Sequence, residues 1–425
     1  MLTVGSKARD AIRQRGDTPA TLSPKKAGFS PGINIGPDSE DDGWHIPPPV
    51  TLPDGNVVQL YKDGEALHAA FEAIAQAKRR VCVEMYIFAD DPTGHAFADL
   101  LARKAREGVR VYCVYDCFAS RRWAGLGCET APLRKMRDSG VRLEAFHPVP
   151  PWECRFSWTP VNRNHRKLFI VDNEIAGLGG LNIGTEYAGS WIVSDVRGEF
   201  WRDNGLMVCG PGVSMFIDAF RRTWDYVNRG GRMRKLAYAA NLDNDAPLGV
   251  LASAPTLDSK FRPMVRRLLR SAQKSVSLTV AYFAPDDELA NELCHAARRG
   301  VRVRLMFPGV SDVPMVRIAG RAFYDSLLSA GCEVYERQHA VLHAKTACID
   351  GHTTVIGSAN LDYRSIEYNC ELSAVVRSAE FGGQIEQLFE NDVCYARRIT
   401  RAEWRRVHWW DKFVMWAVSR ARYIL

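Results

Sequence analysis

Hydrophobic and polar positions fall into the same rhythm in two widely separated parts of the chain. In AFEAIAQAKRRVCVEMYIFADD (70–91) apolar residues recur at helical spacing, a charged turn follows, and an apolar, β-prone run comes next. MVRRLLRSAQKSVSLTVAYFAPDD (264–287) repeats that order. Each stretch is followed by a second helical pattern and an identical Gly-Val-Arg-Val, Gly108–Val111 and Gly300–Val303, which opens a further strand. Helices alternating with strands that are apolar along their whole length predict an α/β sandwich with helices over a largely buried sheet. The repeating unit, roughly 150–180 residues, is too long for a solenoid repeat and suits a duplicated domain.

The remaining patterns set the boundaries. Residues 1–55 are rich in Pro, Gly, Ser and charge and read as an irregular tail, with structure starting near the strand-like NVVQLYKDG. The first half then spans 56–230, a Gly/Asn/Asp-rich linker 231–249, and the second half 250–398. Residues 399–425 predict an amphipathic C-terminal helix that opens with a capping box, Thr400 to Glu403. Trp410, Phe413, Val414, Ala417, Val418 and Ala421 would share one face, with Arg405, His408, Lys412, Ser419 and Arg422 opposite. Six basic against two acidic residues from Arg401 to Leu425 suit an anionic lipid surface; packing of the same face on the catalytic body is the competing reading.

Composition narrows the class. With 46% hydrophobic and 25% charged residues the chain supports a sizeable core, and its net charge of +7 tolerates lipid headgroups or nucleic acid without choosing between them. Eleven cysteines stand singly, which argues for free thiols rather than a disulfide framework or a zinc site. No apolar run reaches the length of a membrane span, and the N-terminus lacks a signal-peptide core, so a cytoplasmic or peripheral chain is expected.

The chemistry lies in NHRKLFIVDNEIAGLGGLN (164–182) and LHAKTACIDGHTTVIGSAN (342–360), which share His, Lys, Asp, Gly and Asn at identical spacing. His165 and Lys167, like His343 and Lys345, are two apart on a strand and share a face. Asp172 and Asp350 complete the motifs and count with the catalytic candidates, although at tight turns they would shape the turn more than touch substrate. The return strands end at Gly180 or Ser358, which would approach the bound phosphate, before Asn182 or Asn360. An imidazole, an ammonium and an amide donor on one surface suit a phosphate, with Lys and Asn holding its non-bridging oxygens. Two such half-sites face to face would supply the attacking group on one side of phosphorus and a proton donor on the other. A carboxylate behind each imidazole would orient it, and each motif has a candidate downstream: Asp203 in WRDNGLMV and Glu371 in NCELSAVV. Asp203 lies 21 positions after Asn182 and Glu371 only 11 after Asn360, so the first half carries an insertion.

The doubled pattern His-x-Lys-x4-Asp-x6-Gly-(Gly/Ser)-x-Asn resembles the phospholipase D superfamily over roughly 56–398. NHRKLFIVDNEIAGLGGLNIG, WRDNGLMVCGPGV and GSANLDYRSIEYNCEL resemble bacterial cardiolipin synthases in particular. The resemblance implies a duplicated α-β-α sandwich whose two pseudo-symmetric halves share one active site. It also implies a phosphohistidine intermediate, no metal and no cofactor. His165 would be the nucleophile and His343 the acid, in a phosphatidyl transfer from phosphatidylglycerol that forms cardiolipin at the cytoplasmic face of the membrane. The sequence departs from the many cardiolipin synthases that begin with two transmembrane helices. A phospholipase D-type hydrolase and a metal-independent phosphodiesterase or nuclease share the same core chemistry. The Trp-rich tail disfavours nucleic acid as a specific partner. Trp152, Phe156 and Trp158, just before the first motif, would line an acyl-chain entrance or pack a loop.

Overall fold

The two halves build the same sheet. Residues 43–124, 129–149, 152, 159–194, 196, 200–242, 245–255 and 261–421 are described by the computed structural model. In the first half the strands run, edge to edge, Val50–Thr51, Val57–Lys62, Asn204–Cys209, Ile175–Gly179, Leu168–Val171, Arg80–Met85, Arg110–Asp116 and Arg142–Phe146. In the second they run Tyr238–Ala240, Leu248–Ser253, Asn369–Arg377, Thr353–Gly357, Lys345–Ile349, Ser275–Val280, Arg302–Val310, Glu333–Val341 and Ala396–Ile399. In both, the strand opened by Gly-Val-Arg-Val lies parallel to its two neighbours, while the motif hairpin pairs antiparallel.

The strands of the first motif hairpin are apolar on both faces because each face meets a different layer. Leu168 and Ile170 enter a core shared with the second half, which contains Val250, Ile356, Leu372 and Ala374. Phe169 and Val171 point the other way, under the helices Gly64–Ala75 and Pro92–Arg106. In the second half the outer layer is formed by Phe261–Ser271 and Asp287–Arg298. Helices Val213–Arg229 and Ala379–Cys394 contribute Phe216, Phe220, Phe381 and Leu388 to the central core. At about 1.5–3 kcal/mol for each large apolar side chain removed from water, this core holds the halves together as one body.

Several expectations are corrected. Ordered structure begins before residue 56: Val50 and Leu52 are buried, and the strand Val50–Thr51 pairs with Val57–Val58. The rest of the expected tail lies outside the described residues. The linker is partly absorbed into the second sheet, since Tyr238–Ala240 pairs antiparallel with Val250–Ala252. Cys117 is disulfide-bonded, while the other described cysteines are free.

The C-terminal segment is two helices, Arg401–Arg406 and Trp409–Arg420, separated at Val407–His408. The capping box at Thr400 and Glu403 forms in both directions. Met415 and Ser419 are buried, and Val418 packs with Val316 and Ala319 of the helix Pro314–Arg321. Trp409, Trp410, Phe413, Val414 and Trp416 are exposed, from 38% to 67%. The inward and outward faces therefore differ from the helical-wheel expectation, which placed Val418 with the outward aromatics.

Candidate active site

Each histidine is stapled to the opposite half. The short strand Arg163–Asn164 leaves its own sheet and pairs in parallel with Asn369–Cys370, so that His165 N–H donates to Cys370 O at 2.9 Å. Its counterpart is a bridge between Arg202 and Leu342, where His343 N–H donates to Arg202 O at 2.7 Å. The strands that receive these bonds carry the carboxylates. His165 Nδ1 lies 3.0 Å from both oxygens of Glu371, and His343 Nδ1 lies 2.7 Å from Asp203 Oδ2. Chain order pairs each motif with the carboxylate that follows it; the structure crosses the pairing. Each Nδ1 is thereby occupied, which leaves Nε2 as the free ring nitrogen.

Both histidines line one cavity of about 650 Å³, together with Asn182 and Asn360. Asn182 Oδ1 accepts from Ile87 N–H at 3.1 Å, while its buried Nδ2 has no partner at hydrogen-bond distance among the described residues. Lys167 and Lys345 are buried beside the histidines, each donating to the carbonyl of the histidine two residues before it. Burial and mutual repulsion hold Lys167 well below the ordinary lysine range, and burial lowers Lys345 to about 8. Two buried lysines whose charged form burial disfavours, and an amide donor without a partner among the described residues, make a site that an anion would relieve.

The two imidazole–carboxylate pairs are not equivalent. Burial pushes Asp203 up to about 7. Burial acts on Glu371 too, but His165, Lys167 and the Ser358 hydroxyl outweigh it and leave it below the usual range. Ser358 Oγ donates to Glu371 Oε2 at 2.5 Å and accepts from Leu372 N–H at 3.0 Å. At the matching place in the first half, a Cβ on Gly180 would stand 2.1 Å from Asp203 Oδ1. Gly180 and Ser358, expected to bind substrate, instead make room for or bond to the orienting carboxylates. Burial also lowers His165 to about 4 and His343 well below the ordinary imidazole value, so both rings are neutral in the free protein.

Asp172 and Asp350, counted with the catalytic residues, take instead the turn-shaping role that the strand reading also gave them. They belong to the motifs, yet they stand at the far turns of the hairpins, about five residues along the strand from the lysines, and do not line the cavity. Asp172 accepts from the backbone N–H of Lys78, Arg79 and Arg80 at 2.7–2.8 Å. Asp350 likewise gathers Gln273, Lys274 and Ser275. Each ties its hairpin to the turn that precedes the central strand, with left-handed backbone at Asp172 (φ 52°) and Asp350 (φ 55°).

Sequence reasoning missed the aromatic cage. Tyr86 stands edge-on to His165 with ring centroids 4.7 Å apart and lies 5.0 Å from Lys167 Nζ. Tyr187, Trp201 and Tyr282 surround His343 at 5.4, 5.3 and 6.1 Å. Tyr187 and Trp201 both come from the insertion between Asn182 and Asp203, which was the available signal. Two fully buried arginines hold the carboxylate-bearing backbone: Arg166 donates to Glu371 O at 3.2 Å, and Arg202 to Asp203 O and the carboxylate of Asp392. Trp152 is 82% exposed; Phe156 and Trp158 lie outside the described residues.

The comparisons with known proteins agree with this geometry. The family profile described as "Cardiolipin synthase, PLD-like domain" matches residues 71–190 and 265–393, one segment in each half. Cardiolipin synthase A of Pseudomonas entomophila (strain L48) is 34% identical over 357 residues, covering 83% of this chain and 72% of that protein. A probable cardiolipin synthase of Bacillus subtilis (strain 168) is 30% identical over 347 residues, covering 81% and 67%. Among solved structures, phosphatidylserine synthase of Haemophilus influenzae Rd KW20 superposes with a TM-score of 0.65 at 13% identity, covering 87% of this chain and 95% of the other, which establishes the shared fold. On the doubled motif, the duplicated sheet and these matches, the chain belongs to the cardiolipin synthase family of phospholipase D-like phosphatidyltransferases.

Proposed function

We propose that this enzyme forms cardiolipin from two molecules of phosphatidylglycerol through a phosphatidyl-histidine intermediate. The observation that carries the reading is the pair of unequal His–carboxylate units facing one cavity beside two buried lysines. Glu371, held ionised, accepts Nδ1–H of His165 and directs the Nε2 lone pair at phosphorus. Asp203, whose carboxyl is pushed up to about 7, keeps a proton within the Asp203–His343 unit, so Nε2 of His343 can deliver one.

The steps then balance. His165 Nε2 forms a bond to phosphorus as the bond to the glycerol oxygen breaks, and the departing oxygen takes the proton from His343. A hydroxyl of the second phosphatidylglycerol gives its proton back to His343 and attacks phosphorus, which breaks the N–P bond. Lys167, Lys345, Asn182 and Asn360 hold the non-bridging oxygens in both steps. Asp172 and Asp350 stay outside the chemistry.

The membrane would be met through the outward ridge of Trp409–Arg420. Trp410 stacks on Phe413, and Phe413 on Trp416, at 5.3 and 5.8 Å, while the polar Ser419 faces the body. Aromatic rings in solvent flanked by arginines suit the headgroup region of an anionic bilayer. This helix packs on Pro314–Arg321, whose Val316 lines the active-site cavity, so the ridge lies near substrate entry. Among the described residues no helix is long and apolar enough to cross a membrane.

Incubating the purified protein with labelled phosphatidylglycerol in vesicles tests the reading. Cardiolipin and glycerol are expected in equal amounts; phosphatidic acid alone would make the enzyme a hydrolase.

A further inference from the structure

The cavity has two unlike poles. In-line displacement puts the departing and entering oxygens opposite His165, on the side of His343. There Tyr282 OH donates to both oxygens of Asp312, at 2.9 and 2.8 Å, and the Tyr282 ring stands edge-on to His343. Tyr282 is also fixed at its backbone, where its N–H donates to Asn360 Oδ1 at 3.3 Å. Asp312 makes no ion pair among the described residues, and both side chains line the cavity.

The first half does not reproduce this pair. Aligned on the shared Gly-Val-Arg-Val, Phe118–Ser120 occupy the place of Val310–Asp312, and in the other repeat Ile87 stands where Tyr282 does. Ile87, Phe118 and Ala119 line the cavity there, beside Tyr86, Arg364 and Asn369, so that pole carries no counterpart of the Asp312–Tyr282 pair among the described residues.

We propose that Asp312 and Tyr282 form the subsite for the hydroxyl-bearing headgroup, first the departing glycerol and then the acceptor's glycerol. With the single Tyr282 proton committed to Asp312, the pair offers the cavity only acceptor lone pairs. Such a surface repels a phosphate and attracts hydroxyl donors, so phosphate goes to the lysine and asparagine centre and the polyol goes here. The hydroxyl that is not reacting is held by Asp312, and this leaves the reacting one against His343. The inference rests on the transfer reading above and extends it to acceptor choice.

The test supplies two isotope-labelled soluble acceptors, glycerol and 1-propanol, at equal concentration with unlabelled phosphatidylglycerol vesicles and measures the ratio of labelled phosphatidylglycerol to labelled phosphatidylpropanol. A ratio is unaffected by a uniform fall in rate. The wild type is expected to favour glycerol, and Asp312→Asn and Tyr282→Phe each to lower that preference about tenfold, as expected when a hydroxyl loses its built partner. An unchanged ratio in both variants, or a loss of rate with the preference intact, would overturn the proposal. If the wild type makes no cardiolipin yet still discriminates between the alcohols, the lipid-acceptor reading fails while the subsite stands. Equal use of both alcohols by the wild type sinks the subsite alone.

Discussion

Glu371 belongs to the second half, yet both of its carboxylate oxygens lie 3.0 Å from Nδ1 of His165 in the first. Asp203 repays the arrangement by reaching His343. Neither half holds a complete imidazole–carboxylate unit, so the halves are functional only when docked. The crossing predicts which ring each substitution disturbs. Glu371→Gln should remove the low-field Nδ1–H resonance of His165 in NMR spectra of histidine-labelled protein and leave the low-field proton shared between Asp203 and Nδ1 of His343; Asp203→Asn should do the reverse. Each should slow turnover about 100-fold or more. Loss of the resonance from the same-half histidine would contradict the crossed pairing.

A second prediction concerns pH. Below about 4, His165 is protonated and has no lone pair to attack with, so kcat/KM should rise as pH passes that value. Above about 7, the Asp203–His343 unit has lost the proton that the leaving group needs, so kcat/KM should fall. Removing the Ser358 hydroxyl takes away a bond that favours ionised Glu371, and Ser358→Ala should therefore move the acid limb to higher pH. A bell whose acid limb ignores Ser358→Ala would count against this assignment.

The turn aspartates should separate stability from chemistry. Asp172→Ala and Asp350→Ala each release three backbone donors and should cost roughly 1 kcal/mol or more of stability, seen as a lower Tm. Both carboxylates are held below the ordinary range, burial opposing and the backbone N–H groups prevailing. Their contribution is present at neutral pH and lost as pH falls through the lowered value, so wild type and variants should converge in acid. Well below Tm, kcat should change little. A large fall in kcat with Tm intact would return these residues to the active site.

The C-terminal ridge gives a binding prediction. Replacing Trp410, Phe413 or Trp416 by Glu should weaken sedimentation with anionic vesicles about tenfold for each ring, since each buries a large apolar surface in the interface. Turnover of a short-chain, monomeric substrate should persist. Undiminished vesicle binding by a triple variant would move the membrane contact elsewhere.

The duplication, the sheet class and the cluster of His, Lys and Asn were legible in the sequence, because phosphate chemistry demands particular atoms at fixed strand spacing. Asp203 and Glu371 were legible as candidates, but not their crossing, since a pairing between strands of different halves leaves no mark on spacing. The roles of Gly180 and Ser358 hid for a related reason. They act on a neighbour's carboxylate, and only the close approach of strands Ile175–Gly179 and Asn204–Cys209 shows why the first must lack a side chain. Tyr187 and Trp201 sit in the insertion, where no repeat partner predicts their placement. The helical wheel failed at Val418 because apolar character does not say which flank of a helix packs: Val418 lies on the side where Met415 and Ser419 are buried, while Trp410 and Phe413 stay in solvent.

The most direct test of the whole account is to trap the intermediate. Rapid acid-free quenching of the enzyme turning over acyl-labelled phosphatidylglycerol, followed by peptide mass spectrometry, should find the phosphatidyl group on His165. Its accumulation should increase when the enzyme is in excess over phosphatidylglycerol, because few second molecules then remain to accept the group. Label on His343, or no covalent adduct under conditions of active turnover, would contradict the division of labour between the two histidines.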